Sequence, residues 1–174
     1  MNIPNILTII RLFLIPLFVI VFYSNNSIAY AIFIFVLSGI TDVLDGYIAR
    51  KYNQITKIGI MLDPIADKLM LVTVLLCLST KKYIPYWVPI VIIIKELTMI
   101  CGGFLLYNKQ DTVVPANPFG KLATFLFHIS ILILYFNYAL GRYLLYASVI
   151  ATLLAFFTYF INYLKVKEYK NKPR

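Results

Sequence analysis

Long apolar runs separated by short polar breaks dominate this chain. Each run approaches the ~20 residues that a helix needs to cross the hydrocarbon core of a bilayer. None alternates with a period of two, and backbone polar groups in lipid must be satisfied internally, so helices are favoured over a β-barrel. The pattern predicts an all-α integral membrane bundle of six transmembrane helices, at 4–23, 28–48, 59–79, 84–107, 119–138 and 142–164.

The composition supports this prediction. Hydrophobic residues make up 61% of the chain and charged residues 13%, and the mean hydropathy is +0.85, values that exclude an ordinary soluble domain. With 174 residues, little remains beyond six spans, so we expect a single membrane domain over 1–174. No signal-peptide pattern precedes the first run, which we expect to be retained. Cys77 and Cys101 lie inside apolar runs without metal-ligand spacing, and we expect both to be packing residues.

The net charge of +9 points to membrane topology rather than to nucleic acid, because the basic residues lie mainly at the ends of the apolar runs, apart from Arg11, Lys68, Lys95 and Lys121 within them. Connectors on one side would carry nine of them, and those on the other side three. By the positive-inside rule, both termini face the cytoplasm. The nine are Arg50, Lys51, Lys57, Lys109, Lys165, Lys167, Lys170, Lys172 and Arg174, and the three are Lys81, Lys82 and Arg142.

Four of the seven acidic residues are clustered, although carboxylates at membrane depth are costly. Asp42 and Asp45 are three residues apart, and Asp63 and Asp67 are four apart, so each pair shares one helix face. The predicted topology brings both pairs to the cytoplasmic membrane face. Pro64 leaves two alternatives, because it either follows Asp63 as the N-cap of a helix or lies inside a helix already begun.

Four converging carboxylates repel one another unless a cation neutralises them. Oxygen ligands without His or Cys select Mg²⁺, Mn²⁺ or Ca²⁺ over zinc, and a pair of such ions can clamp a phosphoryl centre. Gly46 and Gly59 would let a nucleotide or diphosphate approach the backbone closely. The plainer alternatives are that the glycines only pack helices, and that the aspartates cap helices or pair with Arg50 and Lys68.

The segment from Asp42 to Asp67 reads Asp-x2-Asp-Gly-x2-Ala-Arg-x8-Gly-x3-Asp-x3-Asp. It resembles the signature of the CDP-alcohol phosphatidyltransferases at every fixed position. The resemblance implies a Mg²⁺- or Mn²⁺-dependent membrane enzyme, holding two ions, that transfers a phosphatidyl group from CDP-diacylglycerol to an acceptor alcohol and releases CMP. It also implies a homodimer among membrane lipids. We expect a bacterial, multi-pass plasma-membrane protein with its active site at the cytoplasmic face.

The same resemblance assigns roles within the segment. Asp42, Asp45 and Asp63 are the expected metal ligands, and Asp67 either joins them or acts as the base on the acceptor hydroxyl. The CDP moiety would contact Asp45 and a pocket lined by Gly46, Ala49, Arg50 and Gly59.

The amino-terminal stretch resembles the branch of this family that uses glycerol 3-phosphate. Asn5, Thr8 and Arg11 recur there at helical spacing, as a polar stripe that we expect to face the site and to bind the acceptor. The alternative is that Asn5 only starts the helix and Arg11 snorkels to the headgroups. Lys68, Lys95 and Lys121 are further candidates for binding the acceptor.

The fifth run contains Gly120-Lys121-x-x-Thr124, similar to a Gly-Lys-x-Lys-Thr stretch of that branch, but Ala123 departs from it. This leaves open a cardiolipin synthase of the same family, which would use phosphatidylglycerol as acceptor. Lys95 and Glu96 are adjacent rather than one turn apart, so we expect that they do not simply neutralise each other. His128 is expected to be a hydrogen-bonded packing residue.

Two readings from other classes remain. A small membrane cation transporter would place its carboxylates near the bilayer midplane, whereas the charge count places them at the cytoplasmic end. A nonenzymatic lipid-binding paralogue would share the sequence pattern and differ only in an assay.

Overall fold

A computed structural model describes residues 2–24, 28–52, 56–110 and 118–170, and these form six helices. The helices are α1 (Ile3–Tyr23), α2 (Ile28–Lys51), α3 (Lys57–Thr80), α4 (Trp87–Gln110), α5 (Pro118–Phe136) and α6 (Tyr138–Lys170). The all-α prediction is therefore confirmed for the described residues, and each predicted run has its helix.

Among the described residues, three stretches are long and apolar enough to cross a membrane: Pro4–Tyr23, Ile28–Lys51 and Tyr138–Thr158. Leu122–Phe136 is apolar but shorter. Large apolar side chains are exposed along these helices, including Phe13, Phe33 and Val43. Such a surface suits contact with lipid and identifies a membrane protein.

The chain divides into two compact units, Met1–Pro89 and Ile90–Arg174. In the first unit, α1 packs against both α2 and α3, and α2 also contacts α3. Its core is built from side chains of all three helices that are almost fully buried, among them Phe18, Phe35 and Leu75. In the second unit, α5 packs against α6 around buried Phe127 and Leu145.

Helix α3 begins before Asp63, which decides between the two alternatives that the sequence left open. Its N-cap is Thr56, whose hydroxyl accepts a hydrogen bond from the Gly59 N–H at 3.0 Å. Pro64 lies inside the helix, so the alternative in which Asp63 is the N-cap is wrong. A threonine N-cap satisfies an otherwise orphaned backbone donor, which explains why the helix begins here.

The carboxyl end of α3 is closed by a residue in the left-handed region. Lys82 has φ 62°, and its N–H donates to the Ser79 carbonyl at 2.9 Å. The next N–H, of Tyr83, donates to the Leu78 carbonyl at 2.9 Å. This pair of bonds is a Schellman motif, which usually has glycine at the left-handed position.

The break between α5 and α6 lies earlier than the apolar pattern predicted. Asn137 alone separates the two helices, and its side-chain carbonyl accepts from the Leu140 N–H at 3.1 Å. A Cβ added to Gly141 would lie 2.4 Å from the Leu134 backbone nitrogen. The predicted start of the last helix at 142 is therefore wrong, because an asparagine cap and a close glycine contact allow α6 to begin at Tyr138.

Candidate functional site

Arg11 lies at the centre of the polar cluster in the first unit. Its residue is 1% exposed, and its guanidinium contacts two carboxylates of α2. Nη1 is 2.5 Å from Asp42 Oδ1, and Nη2 donates a hydrogen bond to Asp45 Oδ2. Because Asp42 and Asp45 are three residues apart on one helix, a single guanidinium on α1 reaches both.

The two carboxylates differ in their surroundings. The Asp45 side chain is 3% exposed, whereas the Asp42 side chain is 41% exposed. A buried carboxylate is costly unless it is paired, and Arg11 supplies a permanent positive charge. Arg11 therefore pairs with one buried and one partly exposed carboxylate. The alternative that it only snorkels to the headgroups is wrong.

Thr8 connects α1 to the second acidic pair. The Thr8 residue is fully buried, and its hydroxyl donates to Asp63 Oδ1; the Pro4 carbonyl, 3.1 Å away, is its alternative acceptor. The charges of Asp42 and Asp63 both repel that of Asp45, while Arg11 attracts it. Carboxylates of α2 and α3 thus act on one another across the polar stripe of α1.

Asn5, the first residue of the stripe on α1, contacts the beginning of α3. The Thr56 hydroxyl donates to Asn5 Oδ1 at 2.8 Å, and the same oxygen of Thr56 accepts from Gly59 N–H. A Cβ on Gly59 would lie 2.9 Å from Asn5 Oδ1 and 3.0 Å from Thr56 Oγ1. Glycine at this position lets α1 approach the first turn of α3.

All three residues of the predicted stripe therefore contact the acidic helices or their caps. Their contacts run to protein groups, and a role in binding the acceptor stays a prediction. Sequence reasoning missed Thr56, although a threonine just before an apolar helix is a recognised N-cap signal.

The other predicted residues of the segment lie on the same two helices. Asp67 and Lys68 are half-buried on α3, one turn beyond Asp63. On α2, Arg50 reaches back over Gly46, since a Cβ there would lie 3.6 Å from Arg50 Nη2. This is an ordinary contact distance, so the contacts of Gly46 within the protein do not require glycine. Ala49 is half-buried beside Arg50, and the CDP-binding roles stay predictions.

The remaining acceptor candidates lie in the second unit. Lys95 Nζ is 2.7 Å from Glu96 Oε1, and both side chains are mostly buried. The expectation that these neighbours do not neutralise each other is wrong, because two long side chains can fold toward each other without sharing a helix face. Lys121 belongs to α5, but its side chain lies outside the described residues.

Three smaller predictions have structural counterparts. His128 Nδ1 lies 2.8 Å from the Thr124 carbonyl, which confirms that it is hydrogen-bonded. Cys77 is a buried free thiol, as a packing residue should be, and the Cys101 side chain lies outside the described residues. Ala123, where the family pattern has lysine, is buried on α5.

The chemistry of the acidic residues fits a hard divalent cation, since every candidate ligand offers carboxylate oxygens. In the described part of the chain, however, no three His, Cys, Asp or Glu side chains are gathered closely enough to hold a metal ion as they stand. Arg11 is the positive charge between Asp42 and Asp45 in this arrangement. The donor types therefore suit Mg²⁺ or Mn²⁺, and the assignment of Asp42, Asp45 and Asp63 as its ligands stays a prediction.

Comparison with known proteins identifies the class. A family model described as CDP-alcohol phosphatidyltransferase matches residues 1–158. The chain belongs to the CDP-alcohol phosphatidyltransferase family, and it is a phosphatidyl-transferring enzyme of that family.

Curated relatives are more specific. A protein of Rickettsia typhi named CDP-diacylglycerol--glycerol-3-phosphate 3-phosphatidyltransferase is 39% identical, over 91% of this chain and 95% of its own. The protein of the same name from Rickettsia bellii is 38% identical, over 91% of this chain and 93% of its own. A protein of Mycobacterium tuberculosis named putative cardiolipin synthase is 35% identical, over 74% of this chain and 62% of its own.

Proposed function

We propose that this enzyme transfers the phosphatidyl group of CDP-diacylglycerol to glycerol 3-phosphate, giving phosphatidylglycerophosphate and CMP. The observation that carries the proposal is the complete Asp42-to-Asp67 motif, of which Asp42, Asp45 and Asp63 contact the polar stripe of α1. The names of the Rickettsia relatives, which cover almost the whole chain, support the same donor and acceptor.

The reaction is a displacement at phosphorus. The primary hydroxyl oxygen of the acceptor attacks the phosphorus that bears the diacylglycerol, the bond from that phosphorus to the CMP oxygen breaks, and CMP leaves with the electron pair. The hydroxyl proton passes to Asp67. Catalysis then depends mainly on positioning and on stabilising negative charge, because this chemistry asks little covalent work of the protein.

The described contacts support separate roles for the residues that position the carboxylates and for those that would bind metal and substrates. Arg11 fixes Asp42 and Asp45, and Thr8 fixes Asp63, so three carboxylates are held from one helix. A pair of Mg²⁺ or Mn²⁺ ions bound to these three carboxylates would neutralise the diphosphate and the departing CMP, and Asp67 would remain available as the base. Gly46, Ala49, Arg50 and Gly59 would receive the CDP moiety, and Lys68 would contact the acceptor.

The proposed setting is the plasma membrane, which all six helices cross with both termini in the cytoplasm. The site then lies at the cytoplasmic face, where a soluble acceptor and CMP can enter and leave. The chain is further proposed to work as a homodimer. The charge asymmetry of the connectors supports the orientation.

A specific alternative acceptor is phosphatidylglycerol, which would make the enzyme a cardiolipin synthase. It is supported by the names of the mycobacterial relatives and by Ala123 in place of a lysine. Because Ala123 is buried, lysine at this position would need a charged partner or a path to solvent.

The test is an acceptor panel. Purified protein is incubated with CDP-diacylglycerol and Mg²⁺ and with glycerol 3-phosphate, phosphatidylglycerol, serine or inositol phosphate, each alone. We expect CMP release and a phosphatidylglycerophosphate mass only with glycerol 3-phosphate. CMP release with phosphatidylglycerol instead supports the alternative, and the absence of CMP release with every acceptor contradicts both.

A further inference from the structure

The Arg11 guanidinium lies between two carboxylates of α2. It contacts Asp42 Oδ1 and Asp45 Oδ2, one oxygen of each of two carboxylates that the proposed function assigns to metal. Because Arg11 is 1% exposed, water does not screen its charge effectively, and the charge acts strongly on both neighbours.

The coordination of this guanidinium is incomplete. Within the described residues, its buried Nε and Nη1 atoms have no hydrogen-bond partner, although Nη1 is at ion-pair distance from Asp42. Arginine offers five N–H donors, and the contacts to Asp42 and Asp45 are the polar contacts of Arg11 to described residues. The electrostatic stabilisation of this buried guanidinium therefore comes from those two carboxylates.

A divalent cation and the guanidinium would compete for these oxygens. Both need the same carboxylates, and two positive charges a few ångströms apart repel each other in a poorly screened site. Without either cation, Asp42 and Asp45 would repel each other, with Asp63 adding to that repulsion.

We infer that Arg11 is a positioning residue that acts as a resident counter-ion: it holds Asp42 and Asp45 together in the metal-free enzyme and gives up contacts to them when metal binds. The inference rests on the proposed function, because it requires those carboxylates to be metal ligands. It replaces the sequence prediction that Arg11 binds the acceptor. Arg11 thereby keeps the metal ligands in place at the expense of metal affinity.

The test measures Mn²⁺ binding, by the loss of the electron paramagnetic resonance signal of the free ion, in the full-length chain in detergent. Arg11→Met keeps much of the side-chain volume and removes the charge. We expect it to bind Mn²⁺ at least about tenfold more tightly than the parent. We also expect Mn²⁺ to raise its melting temperature by more than it raises that of the parent.

Lys81→Met is the matched control. It also removes a positive charge, but from the far end of α3, about 27 Å along the helix from Asp63. We expect its Mn²⁺ affinity to equal that of the parent. A similar gain in affinity in this control would mean that overall charge, and not Arg11, sets the affinity, and would overturn the inference.

A second measurement covers the case in which Arg11→Met fails to fold. In the unmodified chain, the Nε–H resonance of Arg11 is followed by nitrogen-resolved NMR and assigned by its disappearance in Arg11→Lys. We expect saturating Mg²⁺ to shift this resonance, and an unmoved resonance overturns the inference. The two proposals also fail differently: a parent that binds no Mn²⁺ contradicts both, whereas a parent that binds it as tightly as Arg11→Met contradicts only the role of Arg11.

Discussion

The Thr56 hydroxyl donates to the side chain of Asn5 at 2.8 Å, and this hydrogen bond ties the N-cap of α3 to the beginning of α1. Gly59 closes the arrangement, because a larger residue would press on both partners. Along α1, Asn5 thus contacts the N-cap of α3, and Thr8, about one turn further along the same helix, contacts Asp63. Residues of α1 therefore contact the start of α3 and also supply the positive charge that pairs with Asp42 and Asp45.

This contact predicts coupling between Gly59 and Asn5. Gly59→Ala gains helix propensity but displaces the Asn5 side chain, and each effect is about 1 kcal/mol. We expect Gly59→Ala to be near neutral or destabilising in the parent and about 1 kcal/mol less unfavourable in an Asn5→Ala background, where only the contact to Thr56 remains. Unfolding of the four chains in a double-mutant cycle measures the coupling, and equal effects in both backgrounds would contradict the contact.

The proposed base predicts a clear kinetic effect. Asp67→Asn should keep the fold and lower the rate of CMP release by at least about 100-fold, because a positioned base contributes that much or more. CMP release is measured with the best acceptor of the panel, and melting temperature confirms that the protein is folded. Glu168→Gln, the same kind of change outside the motif, should retain the parent rate. Turnover of Asp67→Asn near that rate would remove Asp67 from the mechanism.

The left-handed residue after α3 predicts a stabilising substitution. Lys82→Gly should raise the free energy of unfolding by about 0.5–1 kcal/mol, since glycine adopts this conformation without a Cβ penalty. Lys81, with φ −84°, is the control, and Lys81→Gly should be neutral or destabilising. Thermal unfolding in detergent distinguishes the two, and destabilisation by Lys82→Gly would show that the backbone is not strained there.

The close approach of α5 and α6 predicts a destabilising substitution. In Gly141→Ala, the new methyl group would meet Leu134 backbone atoms at 2.4 and 2.5 Å, which cannot move aside as a side chain tip can. We expect a loss of about 1–3 kcal/mol. Gly120→Ala, where nothing lies within 4 Å of the added carbon, should instead be neutral or stabilising. Equal melting temperatures for the two variants would be inconsistent with this packing.

The proposed topology predicts the accessibility of single cysteines. In a background lacking Cys77 and Cys101, Lys81→Cys should react with a membrane-impermeant maleimide added outside intact spheroplasts. Lys51→Cys should react only after permeabilisation, because the positive-inside rule places it in the cytoplasm. The reversed pattern would invert the protein and move the proposed site to the outer face.

The number and type of helices were accessible from sequence because lipid imposes long apolar segments with internally satisfied backbones. The ends of the helices were less accessible. Pro64 allowed α3 to begin before or after Asp63, and only the Thr56 cap decides between them. In the same way, the apolar character of residues around Asn137 concealed the break between α5 and α6.

At the site, too, some features could be predicted from the sequence and others could not. Spacing predicted that Asp42 and Asp45 share one face of α2 and that Asn5, Thr8 and Arg11 form a stripe on α1, and the contacts of the stripe agree with this. The sequence did not reveal which charge pairs with which. The contacts of Arg11 to Asp42 and Asp45 were not predicted, and Lys95 pairs with Glu96 although we expected the two not to neutralise each other. Pairings of this kind depend on rotamers and tertiary distance, which periodicity does not encode.

The burial of Arg11 also bears on how the chain is made. The ribosome releases this arginine some thirty residues before the aspartates that neutralise it, and a lone charge at membrane depth costs ~2.5–3.5 kcal/mol or more. Inserting α1 and α2 into the bilayer together, as a helical hairpin, would therefore cost less free energy than inserting α1 alone. Biogenesis and catalysis would then depend on the same three side chains.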